Sequence, residues 1–300
     1  MDRRSFIRTA LLSLPGFYLL DAAAKVSTGI PILVFHRIGE QKKPYSLSPG
    51  QFEKILEAAR DGGFFPVSLD EIVRDELDAV PAGKKPFSIT FDDGHPSQIR
   101  LKDGKLDETC AFSIMKRIFD DPKATFFINA GAAGKKPFGP GGEEKIGILR
   151  EAGMALGSHT AGHMKMNALS TQDIIEQMGE TMLYLDGVLT GDLAQENVYL
   201  AYPYGVLPSG KKSRDAVSKF EYGGRTFRHP AAFSCRLGFG EPMTKKGDTL
   251  LCPLPGTAAF ESRRYDLPRI IISSLKDFVK DVAGREDVYV RGKEPVPGTI

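Results

Sequence analysis

The chain alternates short apolar runs with stretches of helical periodicity, a rhythm that predicts repeated β-α units rather than a sandwich of strands. Pro31-Ile32-Leu33-Val34-Phe35 reads as the first core strand and ends at His36. Ser48-Pro49-Gly50-Gln51 has the residues of a capping box with proline at the first helical position, and opens a helix whose apolar stripe is Phe52, Ile55, Leu56 and Ala59. Ser68-Leu69-Asp70-Glu71 repeats the device ahead of Ile72 and Val73. Ser88, Ile89, Thr90 and Phe91 suit a strand, after which residues 95–108 form a polar excursion leading to a helix through Phe112, Met115 and Ile118. Further strands are expected over residues 123–128, 154–157 and 198–202, with helices over 144–152 and from Ser170 onward. The last presents Ile174, Met178, Met182 and Leu185 on one side, a methionine-containing stripe that reads as core packing. No linker, composition shift or internal repeat divides the pattern, so a single α/β domain is expected.

The first residues break this rhythm. Asp2-Arg3-Arg4-Ser5-Phe6-Ile7-Arg8 leads into an apolar run over residues 9–20 and then Ala22-Ala23-Ala24, the charged, apolar and small-residue order of an export signal. The run is too short to span a bilayer, so no stable membrane span is expected. Paired arginines ahead of Phe6 look like the bacterial twin-arginine type. The expectation is therefore a signal over 1–24, a functional domain over 25–300, and a periplasmic or extracellular protein.

Composition narrows the rest. Of 300 residues, 41% are hydrophobic and 26% charged, enough for one barrel-sized core. The formal charge of +2 gives no reason to expect nucleic acid as a partner. Three cysteines, Cys110, Cys235 and Cys252, lack metal-ligand spacing. Cys235 and Cys252 form a disulfide or remain buried thiols; the sequence leaves both open.

Candidate chemistry sits at two places. Asp92-Asp93-Gly94 follows the strand at Phe91, and two adjacent carboxylates at a strand end repel unless a cation or a shared proton neutralises them. Alone they also read as a solvated turn. Gly157-Ser158-His159-Thr160-Ala161-Gly162-His163 places two of the five histidines four residues apart, on one helical turn or in a tight loop, where both rings reach one point. Two imidazoles and a carboxylate form the three-ligand set that leaves a metal position open for water.

Thr90-Phe91-Asp92-Asp93-Gly94, Ala124-Thr125-Phe126-Phe127-Ile128, Ser158-His159-Thr160-Ala161-Gly162-His163 and Ala201-Tyr202-Pro203-Tyr204-Gly205 occur in that order, and with them the chain resembles the polysaccharide deacetylases, the carbohydrate esterases that share the NodB-homology domain. The likeness runs over roughly residues 30 to 275. It implies a distorted (β/α) barrel, a divalent metal, and hydrolysis of N-acetyl groups on an amino-sugar polysaccharide or oligosaccharide. Carried over residue by residue, it assigns Asp93, His159 and His163 to the metal, Asp92 to the general base and the backbone N–H of Tyr204 to the oxyanion. Zinc is the expected ion, with nickel and cobalt also suited to the donor set.

Two departures accompany the resemblance. The family's late Leu-x-Leu-His segment is absent, and His36 is similar to the early histidine of the circularly permuted subgroup typified by poly-N-acetylglucosamine deacetylases. His36 is therefore the expected general acid, with His229 as the alternative. Where many members carry an arginine, Ala201 stands, and Arg269 is either its replacement or a surface residue. A non-catalytic carbohydrate-binding relative and a metal-independent glycosidase using Asp92 with another carboxylate are the competing readings.

Overall fold

The computed structural model describes residues 28–39, 44–131, 136–189, 197–235 and 250–293. The expected export signal lies outside them, and no helix among them is long and apolar enough to cross a membrane.

Seven parallel strands close into a ring: β1 (Ile32–Phe35), β3 (Lys85–Phe91), β4 (Ala124–Ile128), β5 (Ala155–Ser158), β6 (Leu200–Ala201), β7 (Ala232–Cys235) and β8 (Leu267–Ile271), the last pairing back onto β1 through Ile270 opposite Leu33. The remaining sheet strand, β2 (Phe64–Pro66), pairs with the first residues of β3, Phe64 opposite Lys85, before β1 takes over that edge with Ile32 opposite Ser88. The fold is therefore the distorted (β/α) barrel of the NodB type. Helices Pro49–Asp61, Ala111–Ile118, Gly142–Glu151 and Thr171–Val188 connect the strands as the periodicity requires. Ser48, Ser68 and Ser170 close capping boxes with Gln51, Glu71 and Asp173, and the first helix buries Phe52, Ile55, Leu56 and Ala59.

Alternation along each strand sorts side chains between two apolar clusters. Leu33, Phe35, Ile89, Phe91, Phe126 and Leu200 pack with the helices. Ile32, Phe127, Ala201, Phe233 and Leu267 belong to a second cluster, which fills the barrel and is closed below by Val67, Leu69 and Ile72. On β3 the inward set is Ser88 and Thr90, and Asp92 continues that parity at the strand's end. Parity thus sends Asp92 into the barrel.

Several boundaries move. The strand expected over 198–202 is confined to Leu200–Ala201, because the chain enters a tight turn at Pro203–Gly205. The polar excursion contains a small hairpin, Leu101–Lys102 against Lys105–Leu106. Cys110, Cys235 and Cys252 are buried thiols, not joined by a disulfide, which resolves the question the sequence left open.

His229 is not at the site. It precedes β7, and its Nδ1 lies 2.9 Å from the carbonyl oxygen of Val198, which precedes β6; both belong to the N-terminal ends of their strands. Burial lowers its pKa to about 4. Because the folded value lies below the ordinary 6.5, stability is full above pH 6.5 and is lost as pH falls toward 4. That loss is on the order of 3 kcal/mol for this group. In urea titrations at pH 7 and pH 4.5, His229→Phe is expected to lose less stability between the two pH values than the wild type; an equal loss would refute the assignment.

Candidate active site at the barrel mouth

Parallel strands bring their C-terminal ends to one face, so residues distant in sequence converge there. Asp92 is 2% exposed, and across the barrel the fully buried guanidinium of Arg269, on β8, holds it with two bonds, Nη1 to Oδ1 at 2.7 Å and Nη2 to Oδ2 at 2.9 Å. The surface-arginine reading of Arg269 is thereby overturned. Its nearest register partner is Cys235, whose Sγ lies 3.6 Å from Nη2, while Thr90 Oγ1 lies 3.2 Å from Nη1 and the Phe127 ring sits 4.9 Å beneath the guanidinium carbon. Burial alone would raise the Asp92 pKa; the Arg269 charge overcomes it and holds the carboxyl far below the ordinary range. Asp92 is ionised at every working pH.

The neighbouring carboxylate goes elsewhere. Asp93 takes φ 74°, a left-handed conformation that turns its side chain out of the strand parity and onto the mouth. There its Oδ1 lies 3.5 Å from Nε2 of His163 and 3.8 Å from Nε2 of His159. Ligand atoms of Asp93, His159 and His163 all lie within 4.8 Å of one another. This is the one group of its kind among the described residues.

The histidines are presented by a loop, not a helical turn. β5 ends at Ser158, and Gly157 is required before it, since a Cβ there would stand 2.4 Å from the Phe127 ring inside the barrel. His159 N–H donates to Ile128 O, and its Nδ1 lies 2.8 Å from the carbonyl oxygen of Ala201, which makes Nδ1 the protonated nitrogen and leaves the Nε2 lone pair facing the carboxylates. Asn129 Nδ2 donates to the carbonyls of both His159 and Thr160, at 2.6 and 2.9 Å. Thr160 and His163 take φ 60° and 53°, which folds the segment until the two rings are 4.8 Å apart. Burial, then the proximity of His159, lowers the His163 pKa to about 4, so at neutral pH it is an unprotonated donor.

His36 reaches the same mouth from the end of β1. Its ring stacks on Tyr45 at 5.0 Å, its Nδ1 is buried without a hydrogen-bond partner, and it is close enough to Asp92, Asp93 and His159 to feel their charges. Burial lowers its pKa, and the two carboxylates oppose that shift. Tyr204 is 54% exposed at φ 57°, its ring 4.6 Å from that of His163. A cleft of about 430 Å³ opens beside the group, lined by Asp93, His163, Asn129, Arg37 and Lys136 among others.

Gln98 and Asn129 were not singled out from the sequence. Gln98 Nε2 donates to the carbonyls of His36 and Asp92, at 2.8 and 2.6 Å, and so ties the ends of β1 and β3 together. Asn129 was legible only as a polar residue immediately after a strand. Gln98 lay hidden in the polar excursion.

A closed parallel barrel whose mouth gathers one carboxylate and two imidazoles defines the class of NodB-type barrels. Residues 79–223 match the family model for polysaccharide deacetylase. The chain is 24% identical over 176 residues, 59% of this chain, to YxkH of Bacillus subtilis (strain 168), which is assigned as a polysaccharide deacetylase; the match spans 57% of that relative. Among solved structures, the Streptococcus pyogenes deacetylase PplD in complex with acetate shares the fold with TM-score 0.59 at 19% identity, over 85% of this chain and 98% of that one. IcaB from Ammonifex degensii does so with TM-score 0.53 at 19% identity, over 86% and 96%.

Removing one partner of a buried ion pair strands the other charge, at a cost of about 3–5 kcal/mol. Arg269→Met is accordingly expected to lower the urea midpoint sharply, and Asp92→Asn in the same chain to recover part of the loss. A double variant no more stable than Arg269→Met would show that the pair is not what the barrel interior depends on.

Proposed function

We propose that the protein is a metal-dependent N-deacetylase acting on an N-acetylated amino-sugar polysaccharide or oligosaccharide. The observation that carries this reading is the Asp93, His159 and His163 triad, its donor atoms within 4.8 Å, beside a second carboxylate kept ionised and out of the triad by Arg269. The donor set fits a divalent ion: both imidazoles offer nitrogen lone pairs, His159 Nδ1 is occupied by Ala201, and Asp93 supplies negative charge. Zinc is the expected ion, with nickel and cobalt the alternatives. When bound, it acts as a Lewis acid on the acetyl carbonyl and lowers the pKa of water at the site.

The chain's own groups perform the rest. Asp92 takes a proton from the attacking water, whose oxygen bonds to the acetyl carbon. Arg269 orients Asp92 through both carboxylate oxygens and leaves it no neutral state in which it could not serve. The backbone N–H of Tyr204, on its positive-φ turn, donates to the developing oxyanion; such a donor contributes roughly 3 kcal/mol in comparable enzymes. His36 gives a proton to the amine as the C–N bond breaks, releasing acetate. The export pattern of residues 1–24 supports action outside the cytoplasm, in the periplasm or beyond, where such polymers lie.

Acetate release from N-acetylated oligosaccharides is expected to vanish on chelation and return with zinc. Asp92→Asn and His36→Ala are each expected to lower kcat by about 10²–10⁴ while the protein still binds metal. Release that survives chelation would remove the metal from the chemistry, and chain cleavage without acetate release would favour a glycosidase; loss of release in neither variant would refute the acid and base assignments.

A further inference from the structure

The chain as a whole is almost electrically balanced, with 40 basic and 38 acidic residues, but the mouth of the barrel is not. Arg37, next to His36, and Lys136, in the connection after β4, line the cleft beside the triad. A third cation, Lys165, follows His163 by two residues and holds its Nζ 5.4 Å from the centre of the Tyr204 ring. None of the three forms an ion pair with a described carboxylate, whereas Arg100, Arg117, Lys123 and Arg291 elsewhere each do. Asp93 is the single carboxylate among the described residues lining that cleft, and it is turned toward His159 and His163. Asp92 is matched by Arg269. The cationic excess at the mouth is therefore a matter of placement, and it comes from separate loops of the barrel.

Deacetylation converts each neutral acetamide into an ammonium. On a neutral amino-sugar polymer the product becomes a polycation, which this mouth repels as it forms. A polymer whose neighbouring sugar bears a carboxylate is instead attracted before reaction, and leaves with its charges balanced. Resting on the deacetylase reading, we propose that the cleft selects an anionic glycan, in which the N-acetylated sugar stands beside a carboxylate-bearing sugar held by Arg37 and Lys136. The planar guanidinium of Arg37 suits a two-point hold on that carboxylate, and Lys136 acts as a point charge.

Matched substrates test this. Oligosaccharides alternating N-acetylglucosamine with glucuronate are compared with their methyl esters, which keep shape and remove charge. The wild type is expected to favour the acid by about tenfold in kcat/KM, through KM, with the preference shrinking as salt rises. Arg37→Gln combined with Lys136→Gln is expected to bring the ratio near one. Acid and ester turned over equally by the wild type, or a ratio unchanged in the double variant, would overturn the proposal and leave the deacetylase reading standing. Calorimetric binding of both substrates separates the two claims. If no acetate is released but the acid binds more tightly and the double variant loses that margin, charge selection stands and deacetylation fails; no release and no binding preference overturns both.

Discussion

The rest of the structure depends on one buried ion pair. Asp92 and Arg269 lie on β3 and β8, separated by 177 residues in sequence, and β1 stands between their strands. Two charges in an apolar barrel are tolerable only if they satisfy each other, so their presence constrains the closure of the ring as well as the chemistry at its mouth. Phe127 beneath the guanidinium, Thr90 at its edge and Cys235 beside it complete the environment. Arg269 from β8 holds Asp92 through both carboxylate oxygens, and the backbone carbonyl of Ala201 holds His159.

The pair also explains how two adjacent carboxylates come to have different chemistry. Strand parity carries Asp92 inward, to a cation that keeps it ionised. Positive φ at Asp93 carries the next side chain outward, to two imidazoles. Adjacent residues thus place one carboxylate on a guanidinium and the other beside two imidazoles. Neither role would follow from burial or proximity alone, since both groups stand near His159, with oxygens 3.8 Å from Nε2.

Local strain concentrates on the same face. Asp93, Thr160, His163 and Tyr204 all have positive φ without being glycine, and each belongs to the triad or lies beside it. The barrel holds these conformations through ordinary bonds: Asn129 grips the carbonyls of His159 and Thr160, Gln177 accepts from the N–H groups of Ala161 and Gly162, and Gln98 joins the ends of β1 and β3. The rigid part supplies position. The turns above it supply direction.

Much of this was legible in the residues alone. The capping boxes at Ser48, Ser68 and Ser170, the stripe from Phe52 to Ala59, and the strand leading to Asp92 are local patterns, set by hydrogen bonds and periodicities that span a few residues. The gathering of Asp93, His159 and His163 was expected from motif order and is what the mouth contains. Whether Arg269 was a surface residue or the partner of Asp92, and which of His36 and His229 reached the site, turned on which end of which strand each occupies. Short strands such as β6 and β7 carry too little pattern to announce themselves, and contacts across 177 residues leave no local trace. Sequence determined the elements and the donor types, because those are short-range; tertiary structure alone decided which charges meet, because barrel closure is a property of the whole ring.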